Sequence, residues 1–137
     1  MSKTILIVDD VPELRQFLAL HVQSRGYRAI TAADGREAVE ILLRERVAVV
    51  ITDLEMPAMD GLALLEFIRQ RAFITRSIVV TGHTTLGNLT SCFQEGAVAC
   101  LPKPINTTRL DRAIDQAFEQ VDDWVRQIQD IRQHSSA

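Results

Sequence analysis

The sequence lacks the features that mark several large classes of protein. Its 137 residues include only two cysteines, Cys92 and Cys100, too few for a disulfide framework or a thiolate metal site. No stretch reaches the roughly 18 apolar residues of a membrane span, and the first residues lack the apolar run of a signal peptide. We therefore expect reduced thiols, no membrane contact and a cytoplasmic location.

Positive charge is also scarce and scattered. Lys and Arg number 15 against 18 Asp and Glu, the net charge is −3, and the basic residues do not form a block. This balance gives no nucleic-acid footprint, so no direct contact with nucleic acid is expected. Hydrophobic residues at 47% with charged residues at 24% are typical of a globular chain, and the length suits one domain.

The sequence does contain a regular alternation of short apolar runs and amphipathic segments. The apolar runs predict buried strands at residues 3–8, 27–32, 47–52, 77–80 and 98–101. Helical spacing follows each run, at 12–26, from 34 or 35, after 61, at 84–95 and from about 107 with Asn106 as cap. This order predicts an α/β, flavodoxin-like, doubly wound fold with a five-stranded parallel sheet of order 2-1-3-4-5 and five helices.

Acidic residues stand at the ends of two predicted strands. Asp9 and Asp10 follow the first apolar run, and Asp53 follows the third. Strands one and three are neighbours in the predicted order, so the three carboxylates are expected to meet beyond the carboxyl ends of the strands. Taken alone, Asp53 could equally cap the next helix, and the other two could be solvated turn acids. Their convergence favours a site.

Two further polar residues are expected in the same crevice, because Thr81 follows the fourth strand and Lys103 the fifth. Crowded carboxylates repel each other, and a bound hard cation such as Mg²⁺ is the usual solution. Lys103 offers a positive charge and Thr81 a hydroxyl to a phosphoryl oxygen, while Asp53 offers a nucleophilic carboxylate. The set favours phosphoryl transfer to Asp53, although each residue alone could be an ordinary surface or strand-end residue.

Four features together resemble the response-regulator receiver domain of two-component signalling, over residues 3 to about 120. They are the acid pair after the first strand, D-x-x-M-P-x-x-D-G at 53–61, Thr81-Gly82, and Lys103-Pro104. The resemblance implies that Asp53 accepts a phosphoryl group from a sensor histidine kinase or a phosphotransfer protein. It also implies a cis peptide bond between Lys103 and Pro104.

The resemblance further implies the roles of individual residues. Asp10, Asp53 and the backbone carbonyl of Glu55 would bind Mg²⁺, with Asp9 assisting through water. Thr81 and Lys103 would contact the phosphoryl group, and Thr81 would report its presence as part of the switch.

Three positions depart from the family pattern or vary within it. Glu55 and His83 occupy positions that flank the phosphoryl site and tune its lifetime. Cys100 stands at the switch position where many receivers carry an aromatic side chain that swings inward. Because cysteine has no such ring, we expect the signal to leave through the loop after Thr81 and the fourth helix, which contains poor helix formers.

The C-terminal helix is longer than such a domain requires. Its apolar residues form a heptad-like seam: Leu110, Ile114, Phe118, Val121, Val125 and Ile128. The chain is therefore divided into a receiver at residues 1–120 and, at 121–137, an extension of this helix with a polar tail. The extension could form a homodimer, dock on a partner, or fold back on its own domain.

These expectations combine into one reading with two alternatives. The chain would be a phosphoacceptor that regulates a downstream protein target, with no output domain of its own unless it is a piece of a longer regulator. It would not be an enzyme beyond self phosphoryl transfer and autodephosphorylation. The alternatives are a metal-dependent phosphatase and a pseudo-receiver scaffold that carries no phosphate.

Overall fold

The computed structural model describes residues 3–72 and 74–135, in which strands and helices alternate. The strands are β1 (Thr4–Val8), β2 (Arg28–Ala32), β3 (Val49–Thr52), β4 (Arg76–Thr81) and β5 (Ala99–Pro102). The helices are α1 (Pro12–Ser24), α2 (Gly35–Arg44), α3 (Gly61–Arg71), α4 (Leu86–Gln94) and α5 (Thr107–Ser135). All neighbouring strands pair in parallel in the order β2-β1-β3-β4-β5. The predicted fold class, strand order and long fifth helix are confirmed.

Side chains along each strand alternate between two apolar cores. Ile5 and Ile7 of β1 belong to the core beneath α1 and α5, whereas Leu6 and Val8 belong to the core beneath α2 and α3. All four are at most 1% exposed. Burial of such a side chain stabilises the fold by about 1.5 to 3 kcal/mol, so the central strands are the most firmly held part of the molecule.

Helix ends follow local sequence signals. The Asp34 carboxylate accepts the Glu37 N–H at 2.9 Å, and the Asn106 side-chain oxygen accepts the Arg109 N–H at 3.1 Å. Both satisfy a donor that the helix itself leaves unpaired. Gly26 follows α1 with φ of 93°, in the left-handed region that glycine tolerates. The predicted Asn106 cap at the start of α5 is therefore confirmed, as is the predicted start of α2 at Asp34 or Gly35.

Several predicted boundaries are wrong by one or two residues. Helix α4 begins at Leu86 rather than Thr84, because Thr85 is the N-cap and its hydroxyl accepts the Asn88 N–H at 3.1 Å. Strands β4 and β5 each run one residue further than predicted at their carboxyl ends, to Thr81 and Pro102.

Helix α5 extends beyond the cores. Leu110, Ile114 and Val121 are buried, but none of the residues 122–134 is. The polar tail expected at the end of the chain is helical as far as Ser135. The division at residue 120 remains a prediction. Within residues 3–72 and 74–135, no helix combines the length and the apolar character needed to cross a membrane.

Gly61, the first residue of α3, lies against the backbone that carries Asp53. Its N–H donates to the Leu54 carbonyl at 2.9 Å. A Cβ at this position would lie 2.2 Å from the Asp53 carbonyl oxygen and 2.7 Å from the Leu54 Cα. Only glycine permits this approach, so the start of α3 and the end of β3 form one unit.

We predict that Gly61→Ala destabilises the protein by about 2 kcal/mol or more, because the added methyl group has backbone atoms for neighbours and cannot be accommodated by a side-chain movement. Urea unfolding followed by circular dichroism measures the change. Gly87→Ala on α4 is the control. Its new Cβ would meet only the Thr85 hydroxyl, at 3.9 Å, so this change should be neutral or stabilising by up to about 1 kcal/mol. Equal effects of the two substitutions would contradict the steric argument.

Candidate functional site

The ends of the strands fix the backbone of the candidate site. The Asp9 N–H donates to the last carbonyl of β2 at 3.2 Å, and the Asp53 N–H donates to the last carbonyl of β1 at 3.3 Å. The Lys103 N–H donates to the Thr81 carbonyl at 2.9 Å. Each bond continues a ladder of the sheet by one residue. The predicted site residues therefore start from positions that the sheet determines.

Backbone N–H groups orient the two buried carboxylates. Asp53 Oδ1 accepts the Leu54 N–H at 2.6 Å and the Glu55 N–H at 3.3 Å. Asp9 Oδ1 accepts the Val11 N–H at 2.9 Å. Hydrogen bonds of this kind hold the rotamer of the carboxylate. The other oxygen of each group, Oδ2, faces Lys103.

Lys103 joins the two acids. Its Nζ lies 2.7 Å from Asp53 Oδ2 and 3.3 Å from Asp9 Oδ2. The lysine side chain is 23% exposed, the Asp53 side chain 10% and the Asp9 side chain 3%. Water therefore screens these pairs only in part. The peptide bond that follows, Lys103–Pro104, is cis, as the family resemblance implied.

Two opposing effects act on the pKa of Lys103. Burial lowers the pKa, but the hydrogen bond to Asp53 and the charges of Asp9 and Asp53 outweigh it, so the pKa lies above the ordinary value of 10.5. The lysine is therefore charged at neutral pH. Because its pKa is raised on folding, the stability that it contributes is fully present below pH 10.5 and is lost as the pH rises through the folded-state pKa.

Asp10 completes a cluster of three carboxyl groups. One oxygen from each of Asp9, Asp10 and Asp53 lies within 4.8 Å of the others, and Asp10 is the exposed member. Three carboxyl groups thus share this site with the one ammonium group of Lys103, so acidic groups outnumber this cation in the cluster. Oxygen ligands in this number, with one side open to solvent, suit a hard divalent cation that keeps several waters.

Thr81 lies at the same edge of the sheet and is fully buried. Its hydroxyl oxygen accepts the His83 N–H at 3.2 Å. The His83 imidazole in turn lies 3.2 Å from a Glu55 carboxylate oxygen. Both of these side chains are more than half exposed, so the ion pair contributes little to stability. It does connect the loop after β3 to the loop after β4 beside the cluster.

An open groove of about 630 Å³ runs beside the carboxyl cluster. Its walls come from the β3–α3 loop, from Asp10 and from α4. The residues that line it are Asp10, Leu54, Glu55, Met56, Pro57, Asp60, Leu62 and Asn88. The groove gives the site access to solvent and to a bound molecule.

Cys100 packs away from the carboxyl cluster. It belongs to the small apolar core beneath α4, with Leu65, Val79 and Cys92. Burial raises the pKa of the Cys92 thiol to about 12, and the neighbouring Cys100 adds to this. Both thiols are free. The expectation of reduced cysteines agrees with this arrangement, while the switch role of Cys100 remains a prediction.

Two polar residues at the site were not expected from the sequence. Arg15 of α1 donates to the Asp9 backbone carbonyl at 2.7 Å. Asn88 of α4 donates through its side-chain amide to the His83 carbonyl at 2.8 Å. No motif or spacing in the sequence pointed to Arg15. Asn88 lies in the first turn of a helix that starts beside the site, and this position was a usable signal. From the sequence, however, its residue type indicated only a low helix propensity.

Comparisons with known proteins agree with this geometry. Residues 5–115 match the family model of the response regulator receiver domain. The transcriptional regulatory protein GlrR of Escherichia coli is 38% identical over 116 residues, which are 85% of this chain and 26% of GlrR. The sensor histidine kinase RcsC of Salmonella typhi is 34% identical over 117 residues, 85% of this chain and 12% of RcsC.

A solved structure gives the same result. The response regulator protein TrrA of Thermotoga maritima, crystallised in complex with Mg²⁺-BeF, is 30% identical to this chain with a TM-score of 0.76. The match covers 84% of this chain and 98% of that protein. The chain thus spans about a quarter or less of the two curated relatives but nearly all of this receiver.

We predict that Lys103→Met lowers the free energy of unfolding at pH 7.5 by about 2 to 3 kcal/mol, because two largely buried carboxylates lose their cation. Thermal and urea unfolding at pH 7.5 measure the loss.

Lys3→Met is the matched control, because Lys3 is the other lysine of the chain and is exposed. It should change the unfolding free energy by less than about 0.5 kcal/mol at the same pH. A Lys103→Met protein as stable as the control at pH 7.5 would show that the two ion pairs do not hold the site together.

Proposed function

The chain belongs to the response regulator receiver domain family, and on that premise we propose that Asp53 accepts a phosphoryl group from the phosphohistidine of a sensor histidine kinase or phosphotransfer protein. One observation carries the proposal. The Lys103 ammonium lies 2.7 Å from Asp53 at an edge of the sheet where three carboxyl groups meet. An acceptor, a fixed cation and a set of oxygen ligands are what phosphoryl transfer to a carboxylate needs.

In this transfer the N–P bond of the donor breaks as a bond forms between an Asp53 carboxylate oxygen and phosphorus. The released imidazole nitrogen takes a proton from solvent water. We propose that Asp10, Asp53 and the Glu55 carbonyl hold Mg²⁺, with Asp9 contributing through water. Bound there, Mg²⁺ would neutralise charge on the phosphoryl oxygens. The Mg²⁺-BeF complex of TrrA supports this assignment.

Lys103 changes partner in this proposal. Its ammonium neutralises Asp53 and Asp9 before transfer, and afterwards it binds a phosphoryl oxygen. The raised pKa of Lys103 keeps this charge in place throughout the neutral range. The Thr81 hydroxyl, at the neighbouring strand end, donates to another phosphoryl oxygen and so reports that the group is present. The positive charges of Lys103 and of the bound cation thus balance the negative charge of the incoming phosphoryl group.

We also propose that Glu55 and His83 tune the lifetime of the aspartyl phosphate. Their ion pair, at 3.2 Å, crosses from one loop to the other beside Asp53. Glu55 also lines the open groove beside Asp53, from which water would reach the phosphoryl group. Because the two groups act as a pair, Glu55→Gln and His83→Ala should change the decay rate by similar factors, and the double variant should change it no further.

The output in this proposal is a protein contact, located in the cytoplasm. The conformational signal leaves through the loop after Thr81 and through α4, with Cys100 in place of an aromatic switch residue. Three apolar side chains on α4 are already exposed: Leu86, Leu89 and Phe93.

The extension of α5 is proposed to pair with a second copy of the chain. After Val121 the seam continues through Val125 and Ile128, both half-buried, to Ile131, which is 67% exposed. Trp124, 41% exposed, stands beside it. An apolar stripe that continues past the domain's own core is the pattern of a helix that packs on another helix.

We predict that acetyl phosphate with Mg²⁺ adds the mass of one phosphoryl group to the protein, measured by intact mass spectrometry. Asp53→Asn should abolish the gain, because the amide oxygen is a far weaker nucleophile. Asp10→Asn should slow it by at least about tenfold at limiting Mg²⁺, because a proposed metal ligand loses its charge. Asp122→Asn on α5 is the matched control and should behave as wild type.

The alternatives give different results in the same experiment. A pseudo-receiver would gain no mass under any condition, and a metal-dependent phosphatase would steadily release phosphate from an external phosphoester. A mass gain that persists in Asp53→Asn would show that another residue is the acceptor.

We predict that the full chain sediments as a dimer and that Ile128→Asp shifts it towards monomer, weakening association at least about tenfold, because a charge would be buried in the seam. Gln129→Asp makes the same charge change on the neighbouring exposed position and should leave the mass unchanged. A wild-type chain that is monomeric at high micromolar concentration would contradict self-association through the extension.

A further inference from the structure

His83 is the meeting point of three elements around the site. Its backbone N–H donates to the Thr81 hydroxyl oxygen at 3.2 Å. Its backbone carbonyl accepts from the Asn88 side-chain amide at 2.8 Å. Its imidazole pairs with Glu55 at 3.2 Å. One residue thus connects the end of β4, the β3–α3 loop and the first turn of α4.

The contact made by Asn88 is not a helix cap. The capping role belongs to Thr85, whose hydroxyl accepts the Asn88 backbone N–H at 3.1 Å. The Asn88 side chain instead reaches back out of the helix, to a carbonyl five residues earlier. It therefore ties α4 to the loop that carries the Thr81 partner, in addition to the cap.

Helix α4 has few other attachments. Cys92 is its one buried residue, whereas Leu86 is 80% and Phe93 79% exposed. Gly87 and Thr90 lower its intrinsic helix stability. A single hydrogen bond therefore contributes a large share of the free energy that holds α4 in place. In α5 or β3 the same hydrogen bond would contribute a small share.

We propose that Asn88 is a positioning residue that couples the Thr81 hydroxyl to helix α4 through His83. While Thr81 accepts from the His83 N–H, the His83 carbonyl is held where the Asn88 amide reaches it. When the Thr81 side chain rotates towards a phosphoryl oxygen, its hydroxyl oxygen moves away from the His83 N–H, the loop is released and α4 loses this tie. The inference rests on the proposed function and specifies how that function would reach α4.

Hydrogen exchange of the amides of residues 86–94, with and without beryllofluoride and Mg²⁺, tests the coupling. In the wild type the mimic should accelerate exchange about fivefold, the effect of one hydrogen bond. In Asn88→Ala the ratio of the two rates should fall to near one. The ratio cancels the change in helix propensity, which acts equally in both states.

Gln94→Ala on the same helix is the control and should keep the wild-type ratio. A wild-type ratio in Asn88→Ala overturns the proposal. So does a ratio near one in the wild type when fluorine NMR shows the mimic bound.

A second measurement needs no phosphoryl mimic and separates failure of this proposal from failure of the proposed function. In the free protein, Thr81→Val removes the acceptor of the His83 N–H without changing the size of the side chain. Thr81→Val and Asn88→Ala should each raise the amide exchange rate of α4. In the double variant this rate should be at least about threefold lower than the rate obtained by multiplying the two single effects. Multiplicative effects would show that Asn88 and Thr81 are not coupled, whether or not Asp53 accepts phosphate.

Discussion

One ammonium group between two carboxylates constrains the whole site. Asp9 and Asp53 follow neighbouring strands and would repel each other across the top of the sheet, so a cation has to lie between them. That cation is Lys103, the residue after β5, which is an outer strand of the sheet. The Lys103 backbone is held by its hydrogen bond to Thr81 at the end of β4. The strand order is what makes this ion pairing possible. Asp9, Asp53 and Lys103 are far apart in the chain and meet only because parallel strands end at the same edge of the sheet.

Much of this could be predicted from the sequence, because it depends on periodicity. The first, third and fourth apolar runs are each followed directly by a polar residue, and the strand order places Asp9, Asp53, Thr81 and Lys103 at the same end of the sheet. What could not be predicted depends on side-chain direction across loops. Lys103 also contacts Asp9, and nothing in the residue spacing encodes that rotamer. The start of α4 depends on which of two adjacent threonines caps the helix, and either hydroxyl would serve equally well in sequence.

Stability is unevenly distributed around the site. The strands that carry the carboxylates are buried on both faces, and Gly61 locks the start of α3 onto the Asp53 backbone. On the opposite side of the groove, α4 exposes most of its apolar residues and is built from poor helix formers. A charge added at Asp53 therefore meets a rigid support on one side and an easily displaced helix on the other. The displaceable element is the one that can convert a local charge into a changed surface.

The extension of α5 lies in a different place from α4, and this separates two roles. Helix α5 starts beside the site, where Asn106 caps it. It runs back along the sheet to the edge formed by the amino ends of the strands. There the Arg76 guanidinium, at the start of β4, lies 5.9 Å from the Trp124 ring. The exposed seam begins at this far edge, a whole strand length from Asp53. A second copy bound at this edge would lie outside the groove beside Asp53, whereas Asn88 of α4 lines that groove.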